Sequence, residues 1–147
     1  MELVTASAVM SFARKLEEDS ARFYEEIATT FNRDPEVFMS FVKENRRNIA
    51  QAERAYYGVI SDALEGCFSF RVDTSNYEIV PVLGKTDSFL NAIKQALEIE
   101  KTIRNFYTDA ATQSKPFLAD VPRVFQLLVK IREQRRAKLE SYLVGEA

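Results

Sequence analysis

Leu16-Glu17-Glu18-Asp19-Ser20-Ala21-Arg22-Phe23-Tyr24 returns 83 residues later as Ile99-Glu100-Lys101-Thr102-Ile103-Arg104-Asn105-Phe106-Tyr107. In both stretches an aliphatic–glutamate pair precedes a phenylalanine–tyrosine pair by seven residues. Seven residues make two turns of helix, so each glutamate lies on the same face as its tyrosine. A second motif repeats as well: Val37-Phe38 with Val42-Lys43 comes back as Val124-Phe125 with Val129-Lys130, now 87 residues on. The four-residue difference is absorbed by the loop ahead of each second helix. The chain therefore reads as two similar helical hairpins in tandem.

Outward from these motifs, four segments carry helical spacing. The first spans about Ser7 to Phe31, with Val9, Phe12, Leu16, Phe23 and Ile27 on one stripe. The second is announced by Asp34-Pro35-Glu36, read as a capping acid, a first-turn proline and a further acid at the positive helix end, and it runs to about Leu64, with Gly66 as its stop. The third begins near Asp87-Ser88 and carries Leu90, Ile93, Leu97, Ile103 and Phe106 to about Ala111. The fourth begins at Asp120 with Pro122 in its first turn, followed by Val124, Leu128, Leu139 and Leu143.

Short links inside each hairpin predict antiparallel neighbours. The stretch from Gly66 to Asp87 is long enough to travel the length of a bundle. Phe68, Phe70 and Val72 alternate there in extended fashion. Residues Asn76 to Lys85 are expected to lie over the bundle as an ordered cover that buries Tyr77, Ile79, Val80 and Val82. The fold class is all-α: residues 1–147 form one domain, an antiparallel four-helix bundle of two hairpins joined by a long crossover.

Composition narrows the function. Lys plus Arg number 20 against 22 Asp plus Glu, so no positive field attracts nucleic acid. No apolar run approaches the roughly 20 residues that cross a bilayer, and the first residues lack a secretory pattern. A cytoplasmic protein is expected. The single cysteine, Cys67, allows no intrachain disulfide and suits a small buried apolar position. Histidine is absent, which removes the commonest general base near neutral pH and the commonest nitrogen ligand for metals.

On these motifs the chain resembles, over nearly its whole length, the rubrerythrin branch of the ferritin-like family. In that family a glutamate seven residues before a tyrosine marks the first helix of each hairpin, and each second helix carries Glu-x-x-His. The resemblance implies a ferritin-like bundle, with Glu17 before Tyr24 and Glu100 before Tyr107 at positions of iron ligands. Counted from Phe38, the family's Glu and His positions hold Asn45 and Asn48; counted from Phe125, they hold Arg132 and Arg135. Amide nitrogen and guanidinium do not replace carboxylate and imidazole as iron donors. The resemblance thus implies a degenerate diiron site.

The residues alone give a matching picture. Val42, Asn45, Ile49 and Ala52 form an inward line on the second helix, with Asn48 on nearly the same face. On the fourth helix the line Leu128, Arg132, Arg135, Leu139 sets two guanidinium groups on a leucine stripe. Glu17 and Glu100 face inward too, so the layer sums to zero formal charge. The expectation is that Arg132 and Arg135 take the electrostatic role of two metal ions, with Asn45, Asn48, Tyr24 and Tyr107 completing the hydrogen bonds. The plainer reading turns both arginine heads to the rim and into water. It also makes Arg46-Arg47 and Arg135-Arg136 with Lys138 outer faces laced with Glu44, Glu53 and Glu140.

Three functions fit. The first is a non-catalytic binding or structural module without metal or other cofactor, partnered by an unknown protein or a small anion near the arginines, and able to form a homodimer. The second is a rubrerythrin-like oxidoreductase or peroxidase holding iron or manganese through Glu17, Glu100 and further carboxylates. The third is a cofactor-free enzyme built on Tyr24 or Tyr107 with a glutamate of raised pKa.

Overall fold

Thr5 opens the first helix: in extended conformation, it accepts the Ala8 N–H on its Oγ1 at 3.1 Å and caps α1, Ala6–Phe31. The structure, a computed structural model, describes residues 2–3, 5–59, 70–84, 88–114 and 121–145. Helix α2 is Pro35–Val59, α3 is Phe89–Ser114 and α4 is Val121–Gly145. Ser88 caps α3, its Oγ accepting the Asn91 N–H at 3.1 Å. The end of the second helix expected at Leu64, its stop at Gly66, Cys67, Phe68, Lys85, Asp87 and the start expected at Asp120 lie outside the described residues. α3 runs to Ser114, three residues beyond the expected Ala111.

The turn between α1 and α2 corrects one expectation. Asp34 does not cap α2 with its carboxylate. It sits at φ 48°, in the left-handed region that Asp and Asn tolerate best among residues with a side chain, and Asn32 does so at φ 46°. Its carbonyl accepts the Val37 N–H at 2.9 Å. Its carboxylate accepts the Tyr142 hydroxyl at 2.9 Å instead, tying this turn to the last turns of α4.

Side-chain contacts fix the directions. Arg14 pairs with Glu53, and Tyr24 stacks on Phe38 at 6.2 Å, so α1 and α2 run antiparallel. Arg104 pairs with Glu133 at 2.9 Å, and Tyr107 stacks on Phe125 at 5.8 Å, which sets α3 against α4 in the same sense. These two stacks join corresponding residues of the internal repeat. Between hairpins, Phe12 meets Phe106 at 5.2 Å and Phe31 meets Phe89 at 5.7 Å across α1 and α3. Phe38 stacks on Tyr142 at 5.8 Å across α2 and α4. Both of those pairs are antiparallel too. Consequently α2 and α3 point the same way, and the chain between them has to return along the bundle.

The return path lies over the groove between α1 and α3. Two short strands begin it: β1, Glu2–Leu3, pairs antiparallel with β2, Val72–Asp73, placing Leu3 opposite Val72, both buried. The Gln113 side-chain amide clamps Arg71 on both backbone groups, accepting its N–H at 2.7 Å and donating to its carbonyl at 3.2 Å. A single 3₁₀ turn, Thr74–Tyr77, then delivers Tyr77 between Phe12 and Phe106, at 6.5 and 5.5 Å, with its hydroxyl donated to Asp109. Tyr77 is buried and Ile79 half-buried. Val80 and Val82 are 68% and 62% exposed, contrary to the burial expected of them. What holds them is their backbone: Gln95 Nε2 donates to the Val80 and Val82 carbonyls at 2.6 and 3.0 Å, leaving the isopropyl groups in solvent.

The apolar core follows the expected stripes. Val9, Leu16, Phe23, Ile27, Ile93, Ile103, Phe106, Leu128 and Leu139 are buried, while Phe12, Leu97, Val124 and Leu143 pack at its edge. Among the described residues, no helix is long and apolar enough to cross a membrane. Because Tyr77 is a buried aromatic of the crossover, Tyr77→Ala is expected to cost about 3 kcal/mol, at the low end for a buried aromatic. Amide exchange at residues 72–79 should accelerate before the helices respond. Unchanged protection there would show that the crossover is held by its backbone bonds alone.

Candidate functional site

Midway along the bundle the apolar core gives way to a layer of charge. The residues singled out by the sequence, Glu17, Tyr24, Asn45, Asn48, Glu100, Tyr107, Arg132 and Arg135, are all at most 2% exposed. Neither arginine leans to the rim: their side chains are 0% and 1% exposed. The structure brings seven of the eight into one hydrogen-bonded network and leaves Asn48 beside it.

At the centre the Arg132 guanidinium bridges the carboxylates of two helices. Nη2 donates to Glu17 Oε2 on α1 at 2.5 Å, and Nη1 donates to Glu100 Oε1 on α3 at 2.7 Å. The tyrosines pair crosswise between hairpins. Tyr24 of α1 donates its hydroxyl to Glu100 Oε1 at 2.5 Å, while Tyr107 of α3 donates to Glu17 Oε1. Helical spacing puts a glutamate and a tyrosine two turns apart on one face, and antiparallel packing then sets each tyrosine level with the other hairpin's glutamate.

Arg135 extends the network to α2. Its Nη1 donates to Asn45 Oδ1 at 2.7 Å and to Glu100 Oε1 at 3.3 Å; its Nη2 reaches Glu44 and, at 3.5 Å, the Phe41 carbonyl. The guanidinium carbon also lies over the Phe41 and Tyr24 rings, 4.7 and 5.3 Å from their centroids, where a cation is attracted by the ring faces. Asn45 turns its amide the other way, donating to the Glu17 carbonyl at 2.9 Å and to Ser20 Oγ at 2.5 Å. Two of these partners escaped the reading of the sequence. Ser20 meets Asn45 and lies 3.4 Å from Arg132 Nη2. Glu44, expected on an outer face among arginines, turns instead to the buried Arg135; Glu53 pairs with Arg14 and Glu140 with Arg136. Position 44 adjoins inward Asn45 on α2, which is the signal that could have found it.

Burial is the main force on the tyrosines. It pushes Tyr24 and Tyr107 well above the ordinary tyrosine range, and the neighbouring carboxylates, Glu100 for Tyr24 and Glu17 for Tyr107, push the same way. For Arg132, burial alone favours the neutral form, but Glu100 and Glu17 outweigh it and hold the group firmly cationic. Arg135 keeps its charge against burial and against Arg132 through Glu100, Tyr24 and Glu44.

Do these residues suit a pair of iron ions? Both oxygens of Glu17 already accept hydrogen bonds, and Glu100 Oε1 accepts from three donors. The facing helices supply amides and guanidinium groups, and a guanidinium stands between the acids where a dication would have to sit. Among the described residues no three His, Cys, Asp or Glu side chains cluster for a metal. The residues present do not fit a dinuclear centre. Comparison of the chain with family models, curated proteins and solved structures finds no match in any of the three.

A half-open cleft of about 270 Å³ between α1 and α2 reaches the edge of the layer. Ala21, Arg22, Arg46 and Ile49 surround it, with the buried Glu17 and Asn45 at its floor.

Two expectations follow. Arg132→Ala strands the buried Glu17 without a cation and leaves Glu100 only its longer bond to Arg135, and should lower stability by about 3 to 5 kcal/mol in denaturant melts. A loss below about 0.5 kcal/mol, the range of exposed substitutions, would contradict a dry bridge. Alkali should also weaken the fold. Tyr24 and Tyr107 stay protonated in the folded chain above the roughly pH 10 at which free tyrosine ionises, so the unfolded chain sheds those protons first. The stability they lend is complete below about pH 10 and is lost as pH climbs towards their folded values. A Tyr24→Phe/Tyr107→Phe variant should show a flatter decline in stability; an equally steep one would assign the effect to other groups.

Proposed function

We propose that this chain is a ferritin-like bundle of the rubrerythrin branch in which an arginine pair has replaced the diiron centre, and that it acts as a non-catalytic binding or structural module. The observation carrying this reading is Arg132 itself, a fixed cation hydrogen-bonded to Glu17 and Glu100 at once. Two further features support it. The glutamates and tyrosines of the internal repeat keep pseudo-twofold positions, as ligands of a shared centre would. The helices facing them, however, present Asn45, Asn48, Arg132 and Arg135, and the two arginines stabilise the acids by charge and hydrogen bonding instead of by coordination.

The same geometry bears on the partner. The terminal nitrogens of both arginines are committed to protein acceptors, so a small anion in the layer would have to displace Glu17, Glu100 or Glu44. A protein partner on the outer helix faces asks for no such exchange, and we favour it. A second copy of the chain is one such partner.

Elemental analysis of the purified protein after growth with iron, manganese and zinc tests the reading. We expect far less than one metal ion per chain and no consumption of peroxide. Stoichiometric iron or manganese, lost on Glu17→Ala, would instead establish the metal-dependent oxidoreductase.

A further inference from the structure

The charged layer leaves a specific set of polar atoms unused. Glu100 Oε2, Arg132 Nε, Arg135 Nε and both amide atoms of Asn48 are buried with no hydrogen-bond partner in the protein. Asn48 is 1% exposed. An unpartnered amide so deeply buried costs about 1 to 3 kcal/mol and calls for an explanation.

The helix register brings the residues that carry these atoms to one level of the bundle. Across α2 and α4, Phe38 lies against Tyr142 and Asn45 against Arg135. That antiparallel register carries Asn48, one turn beyond Asn45, to the level of Arg132, one turn before Arg135. Arg132 and Arg135 both bind Glu100 Oε1, so the second oxygen of that carboxylate is close at hand. Gln51, the next turn of α2, also has its Oε1 unpartnered.

The chemistry of the set selects its occupant. An anion would suit the Nε–H groups and the Asn48 NH₂, but would face the Glu100 oxygen. A cation would suit Glu100 and the Asn48 carbonyl, but would face two guanidinium groups. Among the fully buried groups Glu17 and Glu100 already balance Arg132 and Arg135, and the partly exposed Glu44 keeps contact with solvent, so neither sign of charge is called for. What remains is a molecule that both donates and accepts, carries no charge and is very small. From this geometry we infer that the layer encloses internal water, bound between Asn48, Glu100 Oε2 and the Nε–H groups of Arg132 and Arg135. Buried waters typically make about three hydrogen bonds to groups left unsatisfied by protein. The inference rests on these donors and acceptors alone and holds whatever the ancestry of the layer.

Nuclear magnetic resonance on the intact wild-type chain tests it. We expect cross-relaxation between water and the Asn48 side-chain amide and the Arg132 Nε–H, with the sign of water that resides longer than the protein tumbles. Asn48→Leu should abolish the water signal at Arg132 Nε–H and lower the denaturation midpoint, because it removes one wall of the water site. The inference is overturned if the wild-type signals are absent, or if Asn48→Leu raises the midpoint, as removal of a dry, unsatisfied amide would. It is equally overturned if native mass spectrometry or a crystal structure shows an ion or organic molecule at this place.

Discussion

A single guanidinium between two carboxylates organises this bundle. Taking any of these groups out of water is expensive, and each is tolerable only with the others in place. Arg132 therefore joins three helices at once: it grows from α4 and is held by Glu17 of α1 and Glu100 of α3. Arg135 adds the fourth by reaching Asn45 and Glu44 on α2. An apolar layer of the same volume would be satisfied in several registers, whereas this network closes only when the hairpins are level to within a fraction of a turn. Removing any one partner costs more than the intact set adds, because the others are left buried and uncompensated.

The rest of the architecture accommodates that layer. Above and below it the core is ordinary, with Phe38, Phe89 and Tyr142 clustered near one end and Phe12, Tyr77 and Phe106 near the other. Crosswise pairing of Tyr24 with Glu100 and of Tyr107 with Glu17 couples the halves of the repeat. Tyrosine suits this place because its ring packs with phenylalanines while its hydroxyl spends its one proton on a carboxylate. The crossover closes the α1–α3 side and holds its place through the buried rings of Phe70 and Tyr77 and the amides of Gln95 and Gln113.

Much of this was legible in the residues, and the illegible parts have physical reasons. Helix faces could be read because apolar periodicity marks them: Val9, Leu16, Phe23 and Ile27 on α1, for example. On α4 the pattern is weak, since Arg132 and Arg135 occupy the inward stripe; there the reading depended on Leu128 and Leu139 flanking them. Which residues would meet was harder, because partner choice is set by register between helices far apart in sequence. Nothing local pairs Tyr24 with Glu100, or Glu44 with Arg135. The exposure of Val80 and Val82 was missed for a related reason: valine is normally placed by its side chain, and here the backbone carbonyls do the placing. Asp34 read as a cap because aspartate before proline usually is one, yet its carboxylate is drawn away by Tyr142, more than a hundred residues on.

The buried charges are shared unequally between the halves. The α1–α2 hairpin brings the fully buried Glu17 without a buried cation of its own, whereas α3–α4 brings Glu100 with both Arg132 and Arg135. Each half is thus left with an inward imbalance of opposite sign. A hairpin that met a copy of itself, as in a truncated product, would set like against like across the seam. Correct mating of the halves is enforced by repulsion between wrong partners as well as by attraction between right ones, which gives a protein built from a near-duplication a way to keep its duplicates apart.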